Sequence, residues 1–376
     1  MSVRTWWYGA ATLLVIAVPA RGQGALSTQG FGYPPGQLGT RAQTTGGGLA
    51  EFDPQTALNP AAISGWGRAA IYLQYEPEFR RVTSAGADSR TTTSRFPLVA
   101  VATRVHERAT MGLSVSTLLD RTFVTRNEAV RIVDGTPVTT IERFSSTGAI
   151  NDVRLAGSYE WRKSVRLGVG LHAITGENRL IVNGQFGDTA TLELQRTAIS
   201  YGGTALSAGA EWRPSRLFAI AASARKGATL RARASGALLA SAKVPDRFGA
   251  GIRYDGIGGA SLGARLDWTG WSALGALGGD SLTAKDAWDF GAGADVSGPR
   301  VGERVIALRS GVRWRTLPFE LRGAEVHELA LSLGTGLPLA RDRATLDLGV
   351  LRAMRSAGGS AKERAWTLSV GLTVRP

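Results

Sequence analysis

The stretch AWTLSVGLTVRP, residues 365–376, sets the pattern by which the whole chain is read. In an extended strand, Trp366, Leu368, Val370, Leu372 and Val374 fall on one face, and Thr367, Ser369, Gly371, Thr373 and Arg375 on the other. RFGAGIRYDG repeats it, with Phe248, Ala250, Ile252 and Tyr254 opposite Arg247, Gly249, Gly251, Arg253 and Asp255. DVRLAGSYEW sets Val153, Leu155, Tyr159 and Trp161 against Asp152, Arg154, Ser158 and Glu160. GARLDW, AWDFGAGADV and VIALRSGVRWR follow the same rule.

Alternation alone also fits a soluble sandwich, so three further features are needed. Aromatic residues gather near strand ends (Tyr72, Tyr75, Tyr159, Trp161, Trp212, Tyr254, Trp268, Trp271, Trp288, Trp314, Trp366), as an interfacial girdle requires. The opposite face carries charge and glycine along its full length. About fourteen strands are counted, near 68–79, 94–105, 109–122, 150–161, 165–177, 197–212, 217–230, 245–255, 260–271, 286–297, 303–315, 326–337, 343–352 and 364–375. Connections after even strands are brief (HER, RKS, RPSR). Those after odd strands are longer and polar, among them RRVTSAGADSRTTT, VTRNEAVRIVDGTPVTTIERFSSTG and SALGALGGDSLTAK. The expected fold is all-β: an antiparallel transmembrane β-barrel of about 14 strands, with both termini on the short-turn side.

Composition narrows the chemistry. The 376 residues include no cysteine, which excludes disulfides, thiolate catalysis and cysteine-ligated metals. A net charge of +14, almost wholly from arginine, fits either an anionic partner or a general arginine bias, but its even scatter argues against a nucleic-acid footprint. MSVRTWWYGAATLLVIAVPARGQGA has a basic start, an apolar run at 10–18 and small residues before Gly22, the layout of a signal peptide over 1–22. The run is too short to span a bilayer of about 30 Å. Export to the outer membrane of a Gram-negative bacterium is expected.

Residues 23–64 precede the barrel, assigned to 65–376, and read as neither helix nor strand. They are rich in glycine and turn formers, then moderately apolar, and Pro54 and Pro60 interrupt them. Folded into the lumen, their backbone and apolar groups would find partners and close the pore, which makes this segment a plug.

GFGYPPGQLGTRAQTTGGGLAEFDPQTALNPAAISGW resembles the N-terminal hatch of the FadL family of outer-membrane transporters for long-chain fatty acids and other hydrophobic compounds. The hatch motif Asn-Pro-Ala is matched by Asn59, Pro60 and Ala61. KVPDRFGAGIRYDG, with Pro245 and Asp246, is similar to the family's loop-to-strand entry, and LDWTGWSA to its aromatic strand end. The carboxyl half resembles a PorV-like or otherwise divergent FadL-like branch whose members need not carry fatty acids. The chain ends in Arg375-Pro376 instead of the usual terminal aromatic.

The resemblance implies a fourteen-stranded barrel and passive uptake of a hydrophobic compound, with ligand-triggered plug movement and exit sideways through the wall. Candidate ligand contacts are Leu180, Ile181, Val182 and Phe186, expected on a long outer loop, and the lumen-facing Arg247, Arg253, Arg309 and Arg313. Neighbouring acids such as Asp255 and Asp289 compete for those arginines. His106, His172 and His327 are expected not to converge, and no serine has nucleophile-elbow surroundings. No catalytic residue, metal or cofactor is assigned. Outer-loop arginines are expected to meet outer-membrane lipid and lipopolysaccharide. The alternative function is a barrel that scaffolds or shuttles secreted or surface proteins.

Overall fold

The computed structural model describes residues 30–375 apart from 68, 85–86, 134–135, 187–189, 278–283, 303, 322, 341–342 and 359–360. The expected signal peptide, 1–22, and the start of the plug, 23–29, lie outside the described residues. Alternation becomes a wall because each strand buries one face and exposes the other. In β1 (Ala70–Ser84), Tyr72, Gln74, Glu76, Glu78 and Arg80 point inward, while Ile71, Leu73, Tyr75 and Phe79 point outward.

Seventeen β segments build fourteen barrel strands, because three strands are each broken in two. The second strand comprises β2 (Ala87–Arg95) and β3 (Leu98–His106), divided at Pro97, which has no N–H to donate to a ladder. The third comprises β4 (Ala109–Asp120) and β5 (Phe123–Val133), where the Asp120 carboxylate accepts the Thr122 amide at 2.9 Å. Unbroken strands follow: β6 (Thr136–Arg162), β7 (Val165–Phe186), β8 (Ala190–Trp212) and β9 (Phe218–Ala234). The eighth comprises β10 (Ala237–Lys243) and β11 (Arg247–Ile257), divided around Pro245. The rest are β12 (Ala260–Thr269), β13 (Ala287–Val301), β14 (Arg304–Leu321), β15 (Ala324–Leu339), β16 (Ala344–Ala357) and β17 (Ala361–Val374). Antiparallel pairing of β1 with β17, from Ile71 opposite Val374 to Ser84 opposite Ala361, closes the barrel.

Two expectations need correction. The stretches 80–93 and 124–148, expected as loops, are mostly paired strand: β1 with β2, and β5 with β6. Their threonines and valines satisfy their backbone in hairpins that continue the wall strands. Tyr72 and Trp271 are not girdle residues. Tyr72 is fully buried facing the lumen, and Trp271 lies in a 3₁₀ turn, η3 (Trp271–Leu277), packed inside the barrel. Tyr75, Tyr159, Trp161, Trp212, Trp288, Trp314 and Trp366 do face outward.

A fourteen-stranded wall encloses more space than its own side chains fill. Here the N-terminal segment fills it, through α1 (Thr40–Thr44), η1 (Ala50–Phe52) and η2 (Pro60–Trp66). Inward-facing glycines mark where its backbone touches the wall. A Cβ on Gly311 would collide with Gly46, one on Gly293 with Thr45, and one on Gly168 with Ala61. The prediction is that Gly311→Val pushes this segment off the wall. Limited trypsin digestion of the folded barrel should cleave at Arg41 faster than in the parent; equal protection would contradict the contact.

Candidate functional site

The lumen is built in layers, and the Asn-Pro-Ala motif anchors the lowest. Asn59 caps η2: its Oδ1 accepts the Ala61 amide at 2.9 Å, and Pro60 fills a first-turn position that needs no donor. The Asn59 amide donates back to the Glu51 carbonyl at 2.9 Å and to the wall at the Ala210 carbonyl at 3.4 Å. η2 packs against β6, β7 and β8. The motif is thus a fastening between plug and wall.

Above it lies a collar of buried charge. The Tyr33 hydroxyl donates to Glu328 at 3.1 Å and accepts from Arg355 at 2.9 Å and from Arg315. The guanidinium carbons of Arg80, Arg95, Arg315 and Arg355 lie 4.7–5.6 Å from its ring centroid. Burial pushes the Tyr33 phenol above its ordinary pKa, so it stays a neutral donor. Gln37 donates to Ser116 at 2.7 Å and Asp152 at 3.0 Å, and accepts from Arg225 at 3.1 Å. Glu51 takes Arg247 at 2.6 Å and Ser223 at 2.8 Å. Arg41 reaches Asp295 at 3.0 Å, and Gln55 reaches Thr373 at 2.9 Å. The plug is therefore bonded to strands around the circumference.

One step further from the short-turn end, the inward face turns apolar. Ile150 follows Asp152, Ile174 follows His172, Leu317 follows Arg315, Val326 follows Glu328, and Ala357 follows Arg355, each at the next inward position. These join Leu230, Val244, Leu274 and Phe319 in one buried cluster, into which the plug inserts Phe31, edge-on to Trp271 at 6.3 Å. An apolar layer packed around Phe31, a filled chamber, thus sits on a polar collar. Two cavities of about 40 and 50 Å³ flank the plug at the collar, each with room for little more than a water or two.

The wall beside this chamber is not continuously paired. β3 pairs with β4 and β4 with β6, but further up β2 pairs with β1 and β5 with β6, and no pairing joins β2 to β5 among the described residues. At the base of this gap Arg95 ion-pairs with Asp120. The plug's Tyr33 exchanges backbone hydrogen bonds with the same Asp120, at 2.7 and 2.9 Å. Plug, collar and gap meet at one residue.

The sequence-predicted residues divide. Arg247, Arg309 and Arg313 face the lumen, but their guanidiniums are engaged by acids: Arg247 by Glu51, Arg309 by Asp347 and Arg313 by Asp289, each at 2.6 Å. Arg253 is half-buried, 3.0 Å from Asp255, with its guanidinium over Phe52. Leu180, Ile181 and Val182 lie in the hairpin extension of β7, paired with β6, so alternation sends Ile181 to the face opposite the other two. They do not form a loop surface. The Phe186 side chain lies outside the described residues.

His172 is held between Asp152 at 2.7 Å and Ser207 at 2.8 Å. These have the order of an acyl-transfer triad, but Arg225 and Gln37 claim the carboxylate and all three are buried beside the plug. They serve the collar. His106 is exposed and His327 stacks on Trp314, away from His172.

Sequence reasoning missed Phe31, Tyr33 and the chamber. A signal existed where alternation fails: STLLD at 116–120 and LPF at 317–319 are buried at consecutive positions, each beside a register shift.

No family model matches the chain and no curated protein does at a significant level. Solved structures do. A Pseudomonas aeruginosa FadL homologue aligns at TM-score 0.61 and 13% identity, over 92% of this chain and 99% of its own. This is the fold of the FadL-type transporters. The Ralstonia pickettii toluene transporter TbuX (TM-score 0.60, 13% identity, 90% and 98% covered) shares the FadL-type barrel. So does the Pseudomonas putida toluene transporter TodX (0.56, 11%, 92% and 99%).

Glu328 carries the collar's clearest test. It lies between Arg315 and Arg355, whose side chains are 5% and 1% exposed. Glu328→Gln should leave buried positive charge uncompensated and destabilise the barrel by roughly 3–5 kcal/mol. Urea unfolding in lipid vesicles reads this; an unchanged midpoint would mean the collar does not depend on it.

Proposed function

We propose that the chain is a passive outer-membrane transporter for hydrophobic compounds such as long-chain fatty acids or small aromatic hydrocarbons, and not an enzyme. The observation that carries this is the apolar chamber resting on a closed, charged collar and occupied by Phe31. A hydrophobic compound entering from the long-hairpin end gains from burial in the chamber and competes with Phe31 for the same walls. It meets a barrier in the collar, where it offers the charged groups nothing in return for their partners. The open course is sideways, through the unpaired wall between β2 and β5. That course requires the segment around Tyr33 to leave Asp120.

On this reading residues 1–22 direct export, 23–64 form the hatch, 65–376 form the barrel, and basic residues on the outward face meet outer-membrane lipid and lipopolysaccharide. Arg247 and Arg253 hold the hatch at Glu51 and Phe52, Arg309 and Arg313 hold the wall acids around it, and Leu180, Ile181, Val182 and Phe186 belong to the outer rim.

Because the chain has no cysteine, the hatch can be locked cleanly. Tyr33 and Asp120 form a hydrogen-bonded antiparallel pair, whose Cα separation of about 5.5 Å suits a disulfide. In bacteria lacking their own transporter, Tyr33→Cys/Asp120→Cys should take up labelled oleate or toluene only after reduction, while each single variant remains insensitive to reductant. Uptake that ignores the lock would sink the lateral route. A plug-filled lumen with cavities this small also suits the second reading, a scaffold or shuttle partner for secreted or surface proteins. Absence of uptake by a correctly inserted parent, with a stable protein complex in mild detergent, would favour it.

A further inference from the structure

The outward face of β8, β9 and β11 departs from the rest of the wall. Where most strands present mainly leucine, valine or tryptophan to the membrane, Ala208, Ala210, Ala222, Ala224 and Ala250 lie side by side. They floor a groove of about 790 Å³ whose upper rim is Phe248, Trp268 and Trp288, aligned in one cross-strand row. Leu171 and Val169 on β7, and Trp212 and Ile220 below, stand proud of it. Three adjacent strands at about 4.8 Å spacing give the floor a width of roughly 10 Å, enough for an acyl chain or two.

Directly above on the same strands is a second groove, of about 550 Å³, and it is polar. Gly202 lies opposite Arg231 and Ser200 opposite Arg233. Both arginines are exposed, and neither has an ion-pair partner among the described residues. They face outward because β9 carries one extra residue between Gly227 and Leu230, where the register shifts; without it they would enter the lumen. Between the grooves Lys226 and Lys243 share a single acid, Asp246, at 2.7 and 2.9 Å. Arg231, Arg233, Lys226 and Lys243 thus outnumber the acids at the upper end of an apolar trough, where Asp246 joins the two lysines and Glu177, in one row with Ser200 and Arg233, pairs with Arg179.

We propose that this column is a binding site for one phosphorylated, multiply acylated glycolipid of the outer leaflet, the chemistry of lipid A, with acyl chains on the alanine floor and phosphate at Arg231 and Arg233. The inference rests on the outer-membrane reading above and deepens its lipid partner to a place. Charge selects this occupant over a second copy of the chain, since a two-fold pairing of the face would set like charges against each other. The alanines leave room that a bulkier wall would fill.

Lipid A binding to the delipidated protein in phosphatidylethanolamine nanodiscs tests it, with folding checked by heat-modifiable migration. Arg231→Ser/Arg233→Ser should weaken binding by roughly tenfold or more. Ala222→Phe, which fills the trough without touching charge, should also weaken it, so one variant remains informative if the other fails to fold. Arg352→Ser, which removes an outward arginine elsewhere over Trp366, should bind as the parent does. If the parent binds lipid A and both column variants match it, the site is overturned while the lipid partner stands. Phosphatidylglycerol binding as tightly as lipid A would reduce the column to general anion attraction and overturn it too. If the parent binds no lipid A, the lipopolysaccharide reading itself fails.

Discussion

The middle of this barrel holds charge that cannot reach bulk water, and every other feature of the lumen accommodates that constraint. Buried arginines and carboxylates are tolerable only when paired with good geometry. The plug takes part in that pairing: its Glu51 shares Arg247 with the wall's Asp267, and its Gln37 joins Arg225 and His172 on Asp152. Wall and plug are therefore one structure, and the inward glycines let their backbones approach closely enough to form it.

This constraint also explains how a closed barrel could have one weak place. Most plug contacts are multiple and involve Asn59, Glu51, Gln55 and Thr40 deep in the lumen. The first described stretch is also multiply held, through Tyr33 in the charged layer, but differs in reaching up from the collar so that Phe31 enters the apolar chamber. It also adds the backbone pairing to Asp120 where, among the described residues, the wall lacks one between β2 and β5. A hydrophobic compound in the chamber competes for Phe31 without having to break the deeper ion pairs.

Much of the fold was legible because a membrane wall obeys a period of two over long distances. Each of the fourteen expected strands has its counterpart, and ends at the short-turn side agree closely, as at Arg162, Trp212 and Ile257. Most upper ends run further than the apolar period shows, since the threonine-rich hairpins lose the apolar face that signals a strand. Tyr72 was assigned to the girdle by residue type, although its parity with Gln74 and Glu76 already placed it inside. The arginines' lumenal direction could be read from parity, but their partners could not, since Arg309 meets Asp347 across 38 positions and Arg247 meets Glu51 across 196. The chamber was hidden because its residues come one or two at a time from many strands.

The central claim is that the segment around Tyr33 is the movable part of an otherwise fixed plug. Amide hydrogen exchange of the barrel in lipid vesicles, with and without a saturating hydrophobic compound such as oleate or toluene, tests it most directly. The account predicts that the compound accelerates exchange at residues 31–36, including the Tyr33 amide bonded to Asp120, while 40–66 keep their protection. Protection unchanged throughout the plug, in a protein that transports the compound, would contradict it.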